Sequence, residues 1–259
     1  MNKDKMEMMN KPNLLPHVKN YWFIYGNEGP RQFLFMWGTQ KGILKVNGHK
    51  VSYPDYFVVF WGYDPKEGKL VKIDQPMKLD FPPKGPFDFK FSDNKYFLKY
   101  GDTNLIFDKF YAEDDNDGVW KLAKWHNEYR HFSGKLFGKS ISGKAYVQKV
   151  EAKSPFSSWN WLRFQGKDVG TLFQLLPKKT SLKFNGVIYP VKVSSDNGKL
   201  HLQSDKVDLK TTPYETFTVN FSGLGKFRYT EFLVEIEGTV DGKKVHEFGL
   251  VEEARGLIV

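Results

Sequence analysis

The stretch KWHNEYRHF, Lys124 to Phe132, gathers groups that could move a proton. On a strand, successive side chains alternate faces. His126, Glu128 and Arg130 then share one face, and Trp125, Asn127, Tyr129 and His131 share the other. Turned inward, a carboxylate beside an imidazole has a shifted pKa and can serve as general acid or base. A register slip of one residue would leave the same trio facing solvent. Glu252 is a second candidate. It shares a strand face with Leu250 and Ala254, as an interior hydrogen-bond anchor or as a rim charge. A third set lies in SSWNWLRF, where Trp159, Trp161 and Arg163 alternate along one face. An Arg stacked on a Trp closes the end of a small barrel by a cation–π contact. The alternative is an aromatic lining for a flat or polyene-like ligand.

Other chemistries find no support. The chain has no cysteine, so thiol catalysis and thiolate metal sites are excluded. His17, His49, His201 and His246 stand apart and no HExxH pattern occurs, so no metal site is expected. EDDNDG, Glu113 to Gly118, reads as a turn and lacks the length and distal Glu of a calcium loop. There is no phosphate loop or nucleophile elbow, and no cofactor is called for. The formal net charge is +9, with lysines spread singly between Lys135 and Lys192. That spacing suits a solvated face. Without a recognised nucleic-acid motif, no specific nucleic-acid partner is expected. The N-terminus lacks the apolar run of a signal peptide, and no 18 apolar residues run together. The expectation is a cytoplasmic chain with no transmembrane segment. Nothing in the composition speaks to oligomeric state.

The elements that must position these groups are strands. Among 259 residues there are 23 Phe, 13 Tyr and 7 Trp, a load that favours sheets. Asn47-Gly48, Asp117-Gly118, Asn185-Gly186, Asn197-Gly198 and Asp241-Gly242 are hairpin turn pairs. FRYTEFLVEIEG alternates, with Phe232, Val234 and Ile236 on one face and Glu231, Glu235 and Glu237 on the other. The chain also repeats itself. LKVNG at Leu44–Gly48 returns as LKFNG at Leu182–Gly186, an offset of 182 − 44 = 138. The same offset pairs Tyr21 with Trp159 and Phe23 with Trp161. GKLFGKSISGKAYVQ from Gly134 aligns with GTVDGKKVHEFGLVE from Gly238, an offset of 238 − 134 = 104. The first copy therefore holds about 34 extra residues, among them the segment QPMKLDFPPKGPFDFKF. At offset 104 Glu128, Arg130 and Phe132 fall on Phe232, Val234 and Ile236, which turns the charged trio inward. Two up-and-down barrels or strongly curved sheets fit this pattern.

GKSISGKAYVQKVEAKSPFSSWNWLRF with GTLFQLLPK, and the ending GTVDGKKVHEFGLVEEARG, resemble the tandem-lipocalin family that includes carotenoid 1,2-hydratase (hydroxyneurosporene synthase). The resemblance spans Gly134 to Gly256 and reaches the N-terminal half through the internal repeat. It implies an all-β, duplicated fold of two lipocalin-like antiparallel barrels packed side by side. The expected division is a tail over 1–20, a first domain with an insertion over 21–153 and a second over 154–259. In the hydratase branch an acid two residues after a motif tyrosine protonates an isolated double bond. Carried over, the tyrosine is Tyr146 and the acid position is Gln148, which has no proton to give. Related proteins include cyclases that rely on cavity shape. The expected function is binding of an apolar or amphipathic small molecule, such as an isoprenoid. Trp159, Trp161, Arg163, Tyr146, Gln148, Arg130 and Glu252 would be the contacts. The alternative is an enzyme of isoprenoid or polyketide-like metabolism, with Glu128 and His126 as the catalytic pair.

Overall fold

The computed structural model describes residues 9, 11–16, 18–42, 44–78, 87–113, 116–117, 123–153, 157–176, 179–223 and 225–258. Its regular structure is all strand, and no helix among the described residues is long and apolar enough to cross a membrane. The chain divides into two compact units, Met1–Ser154 and Pro155–Val259.

The first unit runs β1 (Lys19–Glu28), β2 (Arg31–Gln40), β3 (Leu44–Val46), β4 (His49–Val51), β5 (Asp55–Asp64), β6 (Gly68–Lys78), β7 (Phe87–Ser92), β8 (Lys95–Tyr100), β9 (Thr103–Glu113), β10 (Asn116–Asp117), β11 (Ala123–Leu136) and β12 (Lys139–Ala152). Its antiparallel sheet has the order β6-β5-β2-β1-β12-β11-β9-β8-β7, and its two ends do not meet among the described residues. The curled inner face holds Trp22, Phe35, Trp37, Phe60, Tyr96, Phe107, Phe132 and Val147.

The second unit runs β13 (Trp159–Gln165), β14 (Val169–Leu175), β15 (Thr180–Phe184), β16 (Val187–Asp196), β17 (Lys199–Gln203), β18 (Val207–Gly223), β19 (Gly225–Val240) and β20 (Lys243–Ile258). Each strand pairs with the next, and β20 pairs with β13, so the sheet closes as an eight-stranded barrel. Alternation fills it. Leu162, Phe164, Leu172, Leu182, Phe232, Val234, Ile236 and Val251 meet inside.

The duplication is visible strand by strand. At offset 138, β1 and β2 fall on β13 and β14, and β3 falls on β15. At offset 104, β8, β9, β11 and β12 fall on β17, β18, β19 and β20. Asn47 and Asn185 both take φ 48°, each followed by a positive-φ glycine in the same strand-to-turn position. Gly118 of the Asp117-Gly118 pair, and Asp114 and Asp115 of the Glu113–Gly118 stretch, lie outside the described residues. The extra chain begins earlier than the sequence suggested. β7 at offset 104 covers Val191–Asp196 at the end of β16, so the addition is mainly the β5–β6 hairpin. That hairpin takes the place on β2 that β15 takes on β14. Residues 79–86 of the segment first assigned to the insertion lie outside the described residues.

Candidate functional site

The functional groups of the second unit stand on the outer face of the barrel wall. On β13 Leu162 and Phe164 point into the core, so Trp159, Trp161 and Arg163 point the other way. Tyr229, Glu231 and Leu233 on β19 share that outer face with Leu250, Glu252 and Ala254 on β20. The ladder sets Trp161 opposite Glu252, and Glu252 opposite Glu231. The Arg163–Trp161 stack expected to close the end of the barrel thus stands on its outer wall. Trp159 is buried and Trp161 half-buried, but both lie outside the barrel. The strand's other residues already supply the core.

Three donors converge on Glu252. Arg163 Nη2 donates to Oε2 at 2.7 Å and Tyr229 Oη to the same oxygen at 2.5 Å, while Trp159 Nε1 donates to Oε1. Charge-assisted bonds of this kind are stronger than neutral ones. The Arg163 guanidinium also stacks 4.2 Å over the Trp161 ring. Phe227 and Phe173 lie 5.2 and 6.3 Å from the Trp159 ring.

Glu231 differs. It is 1% exposed, and neither carboxyl oxygen has a hydrogen-bond partner among the described residues. Burial, and then the negative Glu252, push its pKa well above the carboxylate range. Arg163 offsets only part of this. Burial across the ladder from a second carboxyl group thus favours the protonated form of Glu231. The pair is two buried carboxyl groups on facing strands, walled by aromatic rings. Sequence reading missed Glu231 because it grouped the residue with Glu235 and Glu237 on the face away from Phe232, Val234 and Ile236. Its flanks, Tyr229 and Leu233, were the available signal, as was the same apolar flanking of Glu252 by Leu250 and Ala254.

The first unit carries neutral counterparts. Asn127 stands opposite Gln148 on the β11–β12 ladder. Tyr146 Oη donates to Asn127 Oδ1 at 2.8 Å. Gln148 Nε2 donates to Asn127 Oδ1 at 3.0 Å and to Tyr146 Oη at 2.8 Å. All three are buried on the face opposite the sheet's core.

His126, Glu128 and Arg130 are buried on the inner face of the same sheet, in line with Phe132. His126 Nε2 lies 2.7 Å from Glu128 Oε1, and Arg130 Nε donates to Oε2 at 2.5 Å. Arg130 also donates to the carbonyls of Asn94 and Asp108 at 2.6 and 3.1 Å and sits 4.8 Å over the Tyr96 ring. Burial raises the Glu128 pKa, but the hydrogen bonds and charges of His126 and Arg130 outweigh it and the net shift is downward. Glu128 is thus held as an anion with both oxygens engaged. It has no proton to donate, which removes the general-acid half of the role suggested by the sequence. At the surface, Glu235, Glu237 and His246 bring potential metal-ligand atoms within 4.8 Å of one another, apart from either site.

Comparison with known proteins follows the fold. No family profile matches the sequence, and no curated protein matches it. Solved structures do match in shape. Kievitone hydratase from Nectria haematococca superposes with a TM-score of 0.57 at 13% identity, covering 95% of this chain and 90% of that one. CghA gives 0.58 at 10% identity over 94% and 89% of the two chains. A protein from Nitrosomonas europaea proposed to be ATTH gives 0.54 at 12% identity over 92% of both. The chain therefore shares the two-domain, lipocalin-like fold of these structures.

Proposed function

We propose that the chain is an enzyme that transfers a proton to a neutral, apolar small molecule, in hydration, dehydration or cyclisation. Glu231 is the acid. The observation that carries this reading is a fully buried carboxyl, whose surroundings favour its protonated form, directly across the ladder from Glu252 and beside a wall of aromatic rings. Such pairs separate the roles of acid and charge stabiliser by environment. The sequence resemblance left the proton donor missing, since its position is Gln148. The equivalent position of the second half, Gln148 + 104, is Glu252, and its cross-strand neighbour is the acid. The name of one structural neighbour, a hydratase, supports the same reaction class.

In the hydration direction the alkene π pair takes the Glu231 proton, leaving a carboxylate and a cation on carbon. Water adds to that carbon and loses a proton, which returns Glu231 to its acid form. Dehydration runs the same steps backwards. Glu252 and the faces of Trp159 and Trp161 stabilise the developing positive charge.

Two measurements test the reading. Infrared spectra at neutral pH should contain a protonated-carboxyl band that Glu231→Gln removes. Isoprenoid and polyketide-like alkenes and alcohols, incubated in heavy water, should gain deuterium with the wild-type chain. Glu231→Gln should lower that rate at least about 100-fold, the usual weight of a general acid. A missing infrared band, or exchange that survives the substitution, sinks the proposal.

A further inference from the structure

The inner face of the first unit holds a second charge that the proposed chemistry does not use. Lys149 on β12 has a side chain with no solvent exposure. Its Nζ lies 4.0 Å over the Trp22 ring and donates to Asn20 Oδ1 at 2.9 Å and to the Val150 carbonyl at 3.4 Å. The carboxylate it reaches is Glu151, at 3.6 Å on the partly exposed rim. Its cross-strand neighbours are Trp22 on β1 and His126 on β11. His126 is bonded to Glu128, whose other oxygen takes Arg130, so that trio leaves no anion for Lys149. A buried ammonium with one long, rim-side ion pair is incompletely compensated.

Met9 and residues 11–16 lie over this charge. Met9 is fully buried in the aromatic core with Trp22, Trp37, Tyr56 and Phe89, and its carbonyl accepts from Trp22 Nε1 at 2.7 Å. The segment is tied to the sheet by Asn13, which exchanges bonds with Asn20 at 2.7 and 2.8 Å and donates to Glu151 Oε2 at 3.1 Å. Residues 11–16 belong to no strand, and Leu14 and Leu15 are exposed. A segment held by a few side-chain bonds opens at little cost. The residues that hold it, Asn20 and Glu151, are the same ones that hold Lys149.

We propose that this end of the first unit is a binding site for an amphiphile with a single carboxylate head, such as a medium-chain fatty acid. The head pairs with Lys149, and the apolar tail takes the place of Met9 among Trp22, Trp37, Tyr56 and Phe89. Glu151, already at the rim, turns to solvent with Asn13 as the segment lifts. One buried cation suits a monoanion; a phosphate would bring a second, uncompensated charge. Burial also pulls the Lys149 ammonium down to about 7, with Glu151 offsetting part of it. A bound carboxylate would restore the charged form. Binding should therefore take up a proton and weaken as pH rises above neutrality. Glu151 and His126 are the other titratable groups facing Lys149.

The test is calorimetric titration of the full chain with dodecanoate and with dodecanol, at about pH 6 and about pH 8. Dodecanoate should bind at least about tenfold more tightly than the alcohol, and more tightly at the lower pH. Lys149→Met should abolish the preference, Lys149→Arg should keep it without the pH dependence, and Glu231→Gln should change neither. Dodecanoate should also speed hydrogen exchange at the Val18 amide, which bonds the Leu15 carbonyl. This exchange reads the displaced segment even if the Lys149→Met chain folds poorly. Equal binding of acid and alcohol, binding of neither, or unchanged exchange at Val18 would overturn the proposal.

Discussion

Glu231 lies directly across the β19–β20 ladder from Glu252, where Asn127 lies across from Gln148 in β11–β12. The offset is 104 in both cases. In the first half two amides and Tyr146 satisfy one another without charge. In the second half two acids occupy the same geometry, and burial pushes the pKa of Glu231 well above the carboxylate range. Duplication supplied one scaffold twice, and the side chains at a single cross-strand pair divided it into a neutral half and a proton-bearing half.

Glu231 should weaken the fold as pH rises. Its folded pKa lies above its unfolded value, so its contribution is fully present below the unfolded carboxylate pKa and is lost as pH climbs toward the folded one. Each pH unit in that window costs about 1.4 kcal/mol. Glu231→Gln, which stays neutral, should therefore be more stable than wild type at neutral pH, with the gain vanishing at about pH 4. Urea midpoints at the two pH values check this. A variant less stable at neutral pH would mean that Glu231 is ionised and paired.

Glu128 has the opposite sign. Its folded pKa is depressed, so its stabilisation is present above the unfolded pKa and lost as pH falls through the folded one. Glu128→Gln strands a buried Arg130 and should cost about 3–5 kcal/mol at neutral pH. Denaturant titration should show that loss shrinking under acid conditions. A cost below about 1 kcal/mol would place the trio in solvent.

Much of this was legible in the sequence because it depends on period and turn chemistry. The Asn-Gly pairs, the alternation of FRYTEFLVEIEG and the two offsets led to duplicated antiparallel sheets. Which side of a strand meets the core was less legible. Trp159 and Trp161 look like core by residue type, yet Leu162 and Phe164 between and beyond them fill the barrel. Glu231 looks like surface by type, yet it is buried on the wall's outer face. Alternation says which residues share a face. It does not say which of two faces is dry when both are, and here both are. The placement of the β5–β6 hairpin was also hidden, because an inserted hairpin leaves the flanking repeats intact.

The equivalence of the halves makes a paired prediction at two glycines. Gly134 has φ +147° and Gly238 has φ +141°. A Cβ would come within 2.0 Å of the Asn104 carbonyl oxygen in one case and 1.9 Å of the Asp208 oxygen in the other. Gly134→Ala and Gly238→Ala should each destabilise by about 2 kcal/mol or more, because strain and clash act together. Thermal melts of both variants check it. A tolerated alanine at one site only would show that the two glycine positions are not equivalent.

Arg163 is the cation that lets Glu252 carry charge beside Glu231. Arg163→Met keeps much of the stem that covers Trp161 but leaves Glu252 with two neutral donors, Trp159 and Tyr229. An uncompensated buried carboxylate should cost about 3–5 kcal/mol. The loss should not add to that of Glu252→Gln. Once Glu252 is neutral, Arg163 has lost its partner, and removing it relieves a buried charge. A double-mutant cycle by urea denaturation should therefore give a coupling of about 1–3 kcal/mol, the range for residues in one ion-pair network. The double variant should also leave the infrared band of Glu231 in place, since burial alone keeps that proton on. Strict additivity would show that Arg163 acts through its stacking on Trp161 and not through Glu252.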